Sequence, residues 1–358
     1  MVAGARPNFI KLAPVTRALK KAQEEGCDIS YTLVYAGRKD DPTLEGSLFE
    51  DLQMDAPTVF LGVDCENLNE LTGRVMSKFE TYLQENKTDA VIVVDDLAST
   101  MACAIVTKKQ GVTLAHLAAG TRSFDINMPK EINRLVIDGL SDILFTAGIS
   151  NNSIANREGA ELSKVYMVGN VLMDTLRFNY PRFVKPVGLS LEPRQYIVFT
   201  LNRKALMADR EKLKSLLLAI LKSANGVPVV APLRPAAARL VRELIADIPE
   251  KDAMRFSEPL CYLEFGWLTA NAMGIITDSG NVSEEATFNG VPCITLNSYT
   301  EHIETVKVGT NVLVGEAPDV LAENVALMTR GEWKKHSIPE RWDGRSAERI
   351  VRILMDYQ

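Results

Sequence analysis

The sequence is poor in the features that mark several large classes of protein. It has five cysteines, an odd number, with no Cys-x-x-Cys pair and no Cys/His cluster, so we expect reduced, buried thiols and no metal site. Its apolar runs are strand-sized, far below the ~20 residues of a membrane helix, and no secretory signal is visible. The formal net charge is -6 without a basic run, which argues against nucleic acid. We therefore predict a cytoplasmic protein with neither membrane nor nucleic-acid partners.

Along the chain, β-branched apolar runs alternate with longer amphipathic segments. This is the pattern of parallel sheets covered by helices. At 358 residues and roughly 150 residues per domain, two domains are expected. A segment rich in proline, 177–193, suits a linker. We predict lobes over 1–176 and 177–341 and a C-terminal helix over 342–358 that packs back on the first lobe. Three residues precede the first turn, so the opening strand is either abbreviated or trimmed in this sequence.

The first predicted strand leads into a turn with candidate ligand-binding cations. Gly4, Arg6 and Lys11 follow that strand, and ligands bind in such crevices at the carboxyl ends of strands in open α/β sheets. The alternative is a plain strand–helix turn with solvated cations.

A second strand–turn–helix segment, 277–285, has a sharper pattern. Ser279 and Gly280 stand at a predicted helix start, where free amides and the helix dipole favour a pyrophosphate. Glu285, one turn further, could accept hydrogen bonds from ribose hydroxyls. The alternative is that Asp278 or Ser279 merely caps the helix.

Taken in order, the motifs resemble the non-hydrolysing UDP-N-acetylglucosamine 2-epimerase family over essentially the whole chain. The strings that carry the resemblance are 4–7 with Lys11, 128–134, 168–171 with Asp174, 277–285, 309–315 and 342–350. The resemblance implies a glycosyltransferase-B-type α/β fold of two Rossmann-like lobes with parallel sheets and a ligand cleft between them. It further implies a homodimer that binds UDP or a UDP-sugar, needs no cofactor, and serves cell-surface polysaccharide precursor metabolism.

Several site residues carry over by this resemblance. The resemblance assigns phosphate binding to Arg6 and diphosphate binding to Ser279 and Gly280. It assigns ribose binding to Glu285 and uracil binding to Phe265. Lys11, Asn202 and Arg234 complete the predicted substrate-binding set. Asp96 and Glu131 are the carboxylates that survive near the expected chemistry, and we predict them as catalytic.

The chain departs from the family where sugar chemistry is expected. Ala118 and Lys130 stand in place of glutamates and Asn202 in place of a histidine. Further exchanges are Arg38 and Lys39 for Gln-His, Arg234 for a histidine, Asn281 for a glycine, Ser283 for a glutamine and His302 for an arginine. General acid/base groups each contribute roughly 10²–10⁴-fold, so epimerisation should be impaired.

Three hypotheses therefore stay open. The chain is an epimerase with weak or altered activity, an enzyme for another nucleotide sugar, or a non-catalytic nucleotide-sugar-binding protein. The added cations Arg38, Lys39, Lys130 and Arg234 favour an acidic sugar if they face the ligand. His116, His302 and His336 have no carboxylate partner evident from sequence, and we expect structural or exposed roles for them.

Overall fold

The computed structural model describes residues 1–44, 46–159 and 163–357. The chain divides into two compact units, one comprising Met1–Phe178 with Glu340–Gln358 and the other Asn179–Pro339. In the described part of the chain, no helix has the length and apolar character needed to cross a membrane.

Each unit contains one sheet, and every strand pairing is parallel. The strands are β1 (Val2–Ala3), β2 (Val34–Tyr35), β3 (Val59–Phe60), β4 (Ala90–Val94), β5 (Thr113–Ala119), β6 (Ile143–Thr146), β7 (Lys164–Met167), β8 (Ile197–Phe199), β9 (Val229–Ala231), β10 (Met254–Phe256), β11 (Gly274–Thr277), β12 (Cys293–Thr295) and β13 (Asn311–Leu313).

Helices connect the strands. They are α1 (Arg6–Glu24), α2 (Gly46–Leu52), α3 (Leu68–Glu85), α4 (Ala98–Lys109), α5 (Pro129–Leu140), α6 (Ile149–Glu158), α7 (Val171–Asn179), α8 (Lys204–Ala208), α9 (Arg210–Ser223), α10 (Pro235–Leu244), α11 (Tyr262–Ala270), α12 (Gly280–Asn289), α13 (Ile303–Lys307), α14 (Pro318–Thr329) and α15 (Ser346–Asp356). Short 3₁₀ turns occupy Tyr180–Arg182 and Lys251–Ala253.

The order of strands in each sheet decides where a ligand can bind. The first sheet runs β3-β2-β1-β4-β5-β6-β7 and the second β10-β9-β8-β11-β12-β13. The connections reverse direction between β1 and β4 in the first sheet and between β8 and β11 in the second. Loops diverge at such a switch point and leave a crevice outside the strand ends, where open α/β sheets bind ligands.

The strands form because their residues are buried and β-branched. In β4, Val91 to Val94 are all buried, and Ile275 and Ile276 of β11 are fully buried, as expected for strands covered on both faces. The core of the first unit packs α3 and α4 residues such as Phe79 and Ala102 on one sheet face. The second unit packs α9 and α14 in the same way through residues such as Leu217 and Val325.

The predicted α/β class with two Rossmann-like, parallel-sheet units is confirmed. The apolar, largely β-branched runs of the sequence predict strands over 90–94, 143–146 and 274–277, and the structure has strands with these bounds. The first strand has two residues, Val2–Ala3. The five cysteines are free, but only Cys103 and Cys293 are fully buried; the other three are half-buried.

Candidate functional site

The switch point of the second sheet is held by hydrogen bonds between its two central strand ends. One carboxylate oxygen of Asp278, after β11, accepts the backbone N–H groups of Asn202 at 2.8 Å and Arg203 at 2.6 Å, after β8. The hydroxyls of Thr200 and Thr277 meet at 2.7 Å. Asp278 therefore fixes the β8 loop beside the start of α12 and does not cap the helix.

The start of α12 has the form expected of an anion site. Ser279 is the N-cap residue, yet its side chain makes no capping hydrogen bond. Backbone amides in the first turn have no partner within a helix, so those at Gly280 and the next positions can serve a ligand. A Cβ at Gly280 would lie 2.7 Å from two ring atoms of His302. Glycine is therefore needed here for close packing, whereas plain capping by Ser279 is not observed.

Glu285, predicted to bind ribose, is buried on α12. Burial, and secondly the neighbouring Glu284, raise the pKa of Glu285 to about 8. At neutral pH the folded protein thus holds this carboxyl protonated, and it can donate as well as accept a hydrogen bond. Glu284 instead faces His302, whose Nδ1 lies 2.9 Å from its Oε1.

The remaining predicted binding residues of this unit differ in exposure. Phe265 is half-buried on α11 and packs against the core beneath it. Asn202 is exposed in the β8 loop, and Arg234 is exposed as the N-cap residue of α10. Within the described residues, the Arg234 guanidinium has no ion pair, so it is available to a ligand.

At the switch point of the first sheet, the carboxylate of Asp95 forms an ion pair with Lys11. Asp95 follows β4 with a φ of 58°, a left-handed conformation that is uncommon outside glycine. Its carboxylate accepts Lys11 Nζ at 2.6 Å and Asn8 Nδ2 at 3.0 Å. The amides of Gly4 and Ala5 donate to the Oδ1 of the same asparagine. Lys11, predicted to bind substrate, is thus buried against Asp95. Arg6, the first residue of the same helix, is half-buried.

Asp96 and Glu131, predicted as catalytic, are brought together by one guanidinium. Arg134 donates from two nitrogens to Asp96 at 2.9 and 2.6 Å, and from a third to Glu131 at 3.0 Å. Burial would raise the pKa of Asp96, but the charges of Lys130, 3.5 Å away, and Arg134 outweigh it and lower that pKa. Asp96 is therefore held ionised in an ion pair, which is unfavourable for a general acid.

Glu131 is more enclosed than Asp96. Its side chain is 3% exposed and accepts hydrogen bonds from the amide and hydroxyl of Ser123, both at 2.9 Å, and from the Phe124 amide at 3.1 Å. Burial opposes its ionisation, but the Ser123 and Arg134 hydrogen bonds hold its pKa below the ordinary value. The bonds fix the 123–124 loop, which is a structural task.

A buried network missed by sequence reasoning supports the end of β5. His116 Nδ1 lies 2.6 Å from Asp138, and its Nε2 lies 2.9 Å from the backbone carbonyl of Asp95. Both ring nitrogens thus lie within hydrogen-bond distance of an oxygen, which fixes the orientation of the imidazole. Arg122, 2% exposed, also pairs with Asp138 at 2.7 Å. The 22-residue separation of His116 and Asp138 hid the pair; the β5–α5 packing brings them together.

The comparisons with known proteins agree with this construction. The family model described as UDP-N-acetylglucosamine 2-epimerase matches residues 20–355. The chain belongs to this epimerase family. The UDP-N-acetylglucosamine 2-epimerase of Methanocaldococcus jannaschii is 34% identical, covering 99% of this chain and 98% of that protein. Its crystal structure in complex with UDP-GlcNAc and UDP matches with a TM-score of 0.81, at 32% identity, over 100% of this chain and 99% of that one.

A second relative differs in the substrate that its name gives. The UDP-2,3-diacetamido-2,3-dideoxy-D-glucuronate 2-epimerase of Pseudomonas aeruginosa is 35% identical and covers 99% of this chain and 98% of that protein. The epimerase family thus includes a relative named for an acidic UDP-sugar.

The structure places the three side chains that stand where the resemblance leads us to expect acid/base groups. Ala118 lies at a register shift of β5 and has a φ of 72°. Its methyl side chain carries no acidic group. Lys130 is 60% exposed at the start of α5, and Asn202 is exposed after β8. None of these side chains can act as a carboxylic acid or an imidazole base.

Proposed function

We propose that this protein is a UDP-N-acetylglucosamine 2-epimerase-like nucleotide-sugar protein of cell-surface polysaccharide precursor metabolism. It keeps UDP recognition and is impaired or altered in proton transfer at C2 of the sugar. The diphosphate binds at Ser279 and Gly280, and Glu285 bonds to the ribose. Phe265 contacts the uracil, and Arg6 serves a phosphate.

One observation carries the proposal: the anion-binding helix start is intact while the acid/base positions are not. The α12 amides, the uncapped Ser279 and the close packing at Gly280 support UDP binding. Asp96 is tied to Arg134 and Glu131 to the 123–124 loop, and the lowered pKa of each carboxyl is unfavourable for a general acid. Ala118 and Asn202 offer no substitute.

Two measurements on one preparation test this proposal. Calorimetry with UDP and with UDP-N-acetylglucosamine should show binding, which Gly280→Val should abolish because its side chain would collide with His302. In D₂O, exchange at C2 followed by NMR should be absent or far below ordinary enzyme turnover of about 1–10³ s⁻¹. No binding by the parent protein would refute the nucleotide assignment; rapid exchange would refute the impaired chemistry.

A second candidate is a protein selective for an acidic nucleotide sugar. The glucuronate-type relative and the exposed Lys39, Lys130 and Arg234 favour it. Arg38 contributes less, because Asp40 pairs with it and Asp64 lies 3.5 Å away. A ligand panel should show tighter binding of a UDP-uronic acid than of UDP-N-acetylglucosamine, with the preference shrinking at high salt. Indifference to the added carboxylate would exclude this candidate.

A homodimer and a cytoplasmic location are also proposed. Support for the dimer comes from four large apolar side chains of the first unit that lie exposed within a short stretch, since such patches mark interaction surfaces. They are Phe124, Ile126, Ile132 and Leu135. Light scattering after size exclusion should give twice the monomer mass of 39.5 kDa, and charged substitutions at Ile132 and Leu135 should reduce it.

A further inference from the structure

Helix α1 contains a proline in its interior, Pro14. A proline has no amide hydrogen, so it cannot donate to the carbonyl four residues earlier, and its ring presses against that carbonyl. The carbonyl that loses its helical partner is that of Ile10. The hydrogen-bond ladder of α1 is therefore interrupted between the turn that begins at Arg6 and the body of the helix.

A side chain from another helix takes the place of the missing amide. The hydroxyl of Thr175, on α7, donates to the Ile10 carbonyl at 2.5 Å. Thr175 is fully buried, so its hydroxyl needs a partner inside the protein. The two residues are 165 positions apart. This tertiary hydrogen bond therefore meets the carbonyl that the proline leaves unpaired.

Helix α7 is itself anchored on another side. The carboxylate of Asp174 accepts the amides of Ser346 at 3.1 Å and Ala347 at 2.8 Å, at the start of α15. Asp174 is buried, and α15 also packs against α1. Thr175 thus stands on a helix that its neighbours hold in place, so its hydroxyl can keep the Ile10 carbonyl at a defined position.

The part of α1 before the proline carries Arg6, which lies one turn before the disrupted carbonyl on the same side of the helix. This part is also attached to the end of β4, because Asn8 and Lys11 bond to the Asp95 carboxylate at 3.0 and 2.6 Å. The bond from Thr175 adds an attachment to α7 at the break in the ladder. Together these attachments set the orientation of the first turns of α1, and with it the position of the guanidinium.

We propose that Thr175 is a positioning residue for nucleotide-sugar binding: its hydroxyl replaces the amide missing at Pro14 and holds the first turns of α1 so that Arg6 meets a phosphate of the ligand. This inference rests on the proposed phosphate binding by Arg6 and adds a residue that acts through it. Without the hydroxyl these turns relax in the free protein, and restoring their orientation on binding costs affinity. The net contribution of one hydrogen bond corresponds to roughly three- to tenfold in affinity.

Urea unfolding tests the hydrogen bond without a ligand. Thr175→Val, which keeps the shape of the side chain and removes its hydroxyl, should lower the urea midpoint of the parent protein. Pro14→Ala supplies the amide that the Ile10 carbonyl lacks, so adding Thr175→Val to that variant should change the midpoint little. An equal drop in both backgrounds would show that the hydroxyl does not stand in for the amide, and would overturn the inference.

Calorimetry of the full-length protein with UDP-N-acetylglucosamine tests the effect on binding. Thr175→Val should weaken binding roughly three- to tenfold, whereas Thr175→Ser keeps a hydroxyl and should bind like the parent. Thr107→Val is the matched control, because the Thr107 hydroxyl is also buried in the first unit and bonds to a backbone carbonyl, that of Cys103 within α4. This control should leave the affinity unchanged.

A double-mutant cycle with Arg6 separates positioning from a general structural defect. In an Arg6→Ala background, Thr175→Val should cause no further loss of affinity, whereas a general defect would weaken both backgrounds equally. Parent-like binding by Thr175→Val, or an equal loss with and without Arg6, would overturn the inference and leave nucleotide binding intact. Absence of binding by the parent protein would instead refute the proposed function on which the inference rests.

Discussion

Glu285 provides a prediction on stability that needs no ligand. Its pKa is about 8 in the folded protein, against an ordinary value of 4.5, because of burial and the adjacent Glu284. Between these two values the folded state keeps a proton that the unfolded chain has released. Stability must therefore fall as pH rises through this window and level off above it. Replacing Glu285 with glutamine removes the ionisation and should abolish this loss.

The magnitude follows from the width of the window. A difference of 3.5 pH units, at about 1.4 kcal/mol per unit, gives an upper bound of roughly 5 kcal/mol. Between about pH 5.5 and pH 7.5 the parent protein should lose roughly 2–3 kcal/mol relative to Glu285→Gln. Such a change is large against the ~5–15 kcal/mol that ordinarily separates folded from unfolded states.

Urea unfolding at the two pH values measures the effect. Trp267 and Trp333 lie in the same unit as Glu285, so their fluorescence reports on its unfolding. Glu323→Gln is the matched control, since Glu323 is exposed on α14 of that unit; it should leave the pH profile unchanged. If the difference in unfolding free energy between Glu285→Gln and the parent is the same at both pH values, the carboxyl is not held protonated and the reasoning fails.

Three other changes test the remaining assignments. Asp138→Ala should cost about 3–5 kcal/mol in denaturant unfolding, because it leaves the buried Arg122 guanidinium without this carboxylate and removes the partner of His116; a loss below about 1 kcal/mol would contradict this. Gly280→Ala should weaken UDP binding at least about tenfold by calorimetry, since its Cβ meets the ring 2.7 Å away, and unchanged affinity would contradict it. The combined variant Ala118→Glu, Lys130→Glu, Asn202→His should raise C2 exchange in D₂O above the parent's rate; no increase would mean that these positions do not limit the chemistry.

Sequence reasoning predicted the elements whose signal is local. A continuous β-branched run predicts a strand over Ala90–Val94, and apolar residues at helical spacing predict a helix over Leu68–Glu85. Both elements have these bounds in the structure. It missed the short strands β3, β10 and β13. Two- and three-residue strands have no periodicity of their own, and pairing with a neighbour defines them.

The same holds for the site residues: a motif within one stretch of sequence can be recognised, whereas a pair that forms only in the folded chain cannot. Ser279 and Gly280 were recognisable because a strand, a small polar turn and a helix follow one another in the sequence. The partners of His116 and His302 were not, because 22 and 18 positions separate each from its carboxylate. The engagement of Lys11 by Asp95 was equally hidden, since it spans 84 positions. Tertiary packing alone brings such pairs together.

Side-chain substitutions affect the two switch points differently, because one relies on backbone groups and the other on side chains. At the second, the proposed anion site consists of backbone amides and a helix dipole, which persist when side chains change. At the first, acid/base function depends on single side chains, and here the carboxylates that remain are neutralised by the chain's own cations, Asp95 by Lys11 and Asp96 by Arg134 and Lys130. We therefore expect that the replacement of acid/base groups by Ala118 and Asn202 impairs catalysis and leaves nucleotide binding in place. Restoring those groups is therefore the first step toward recovering the chemistry, and Lys130→Glu also removes one of the two cations that pair with Asp96.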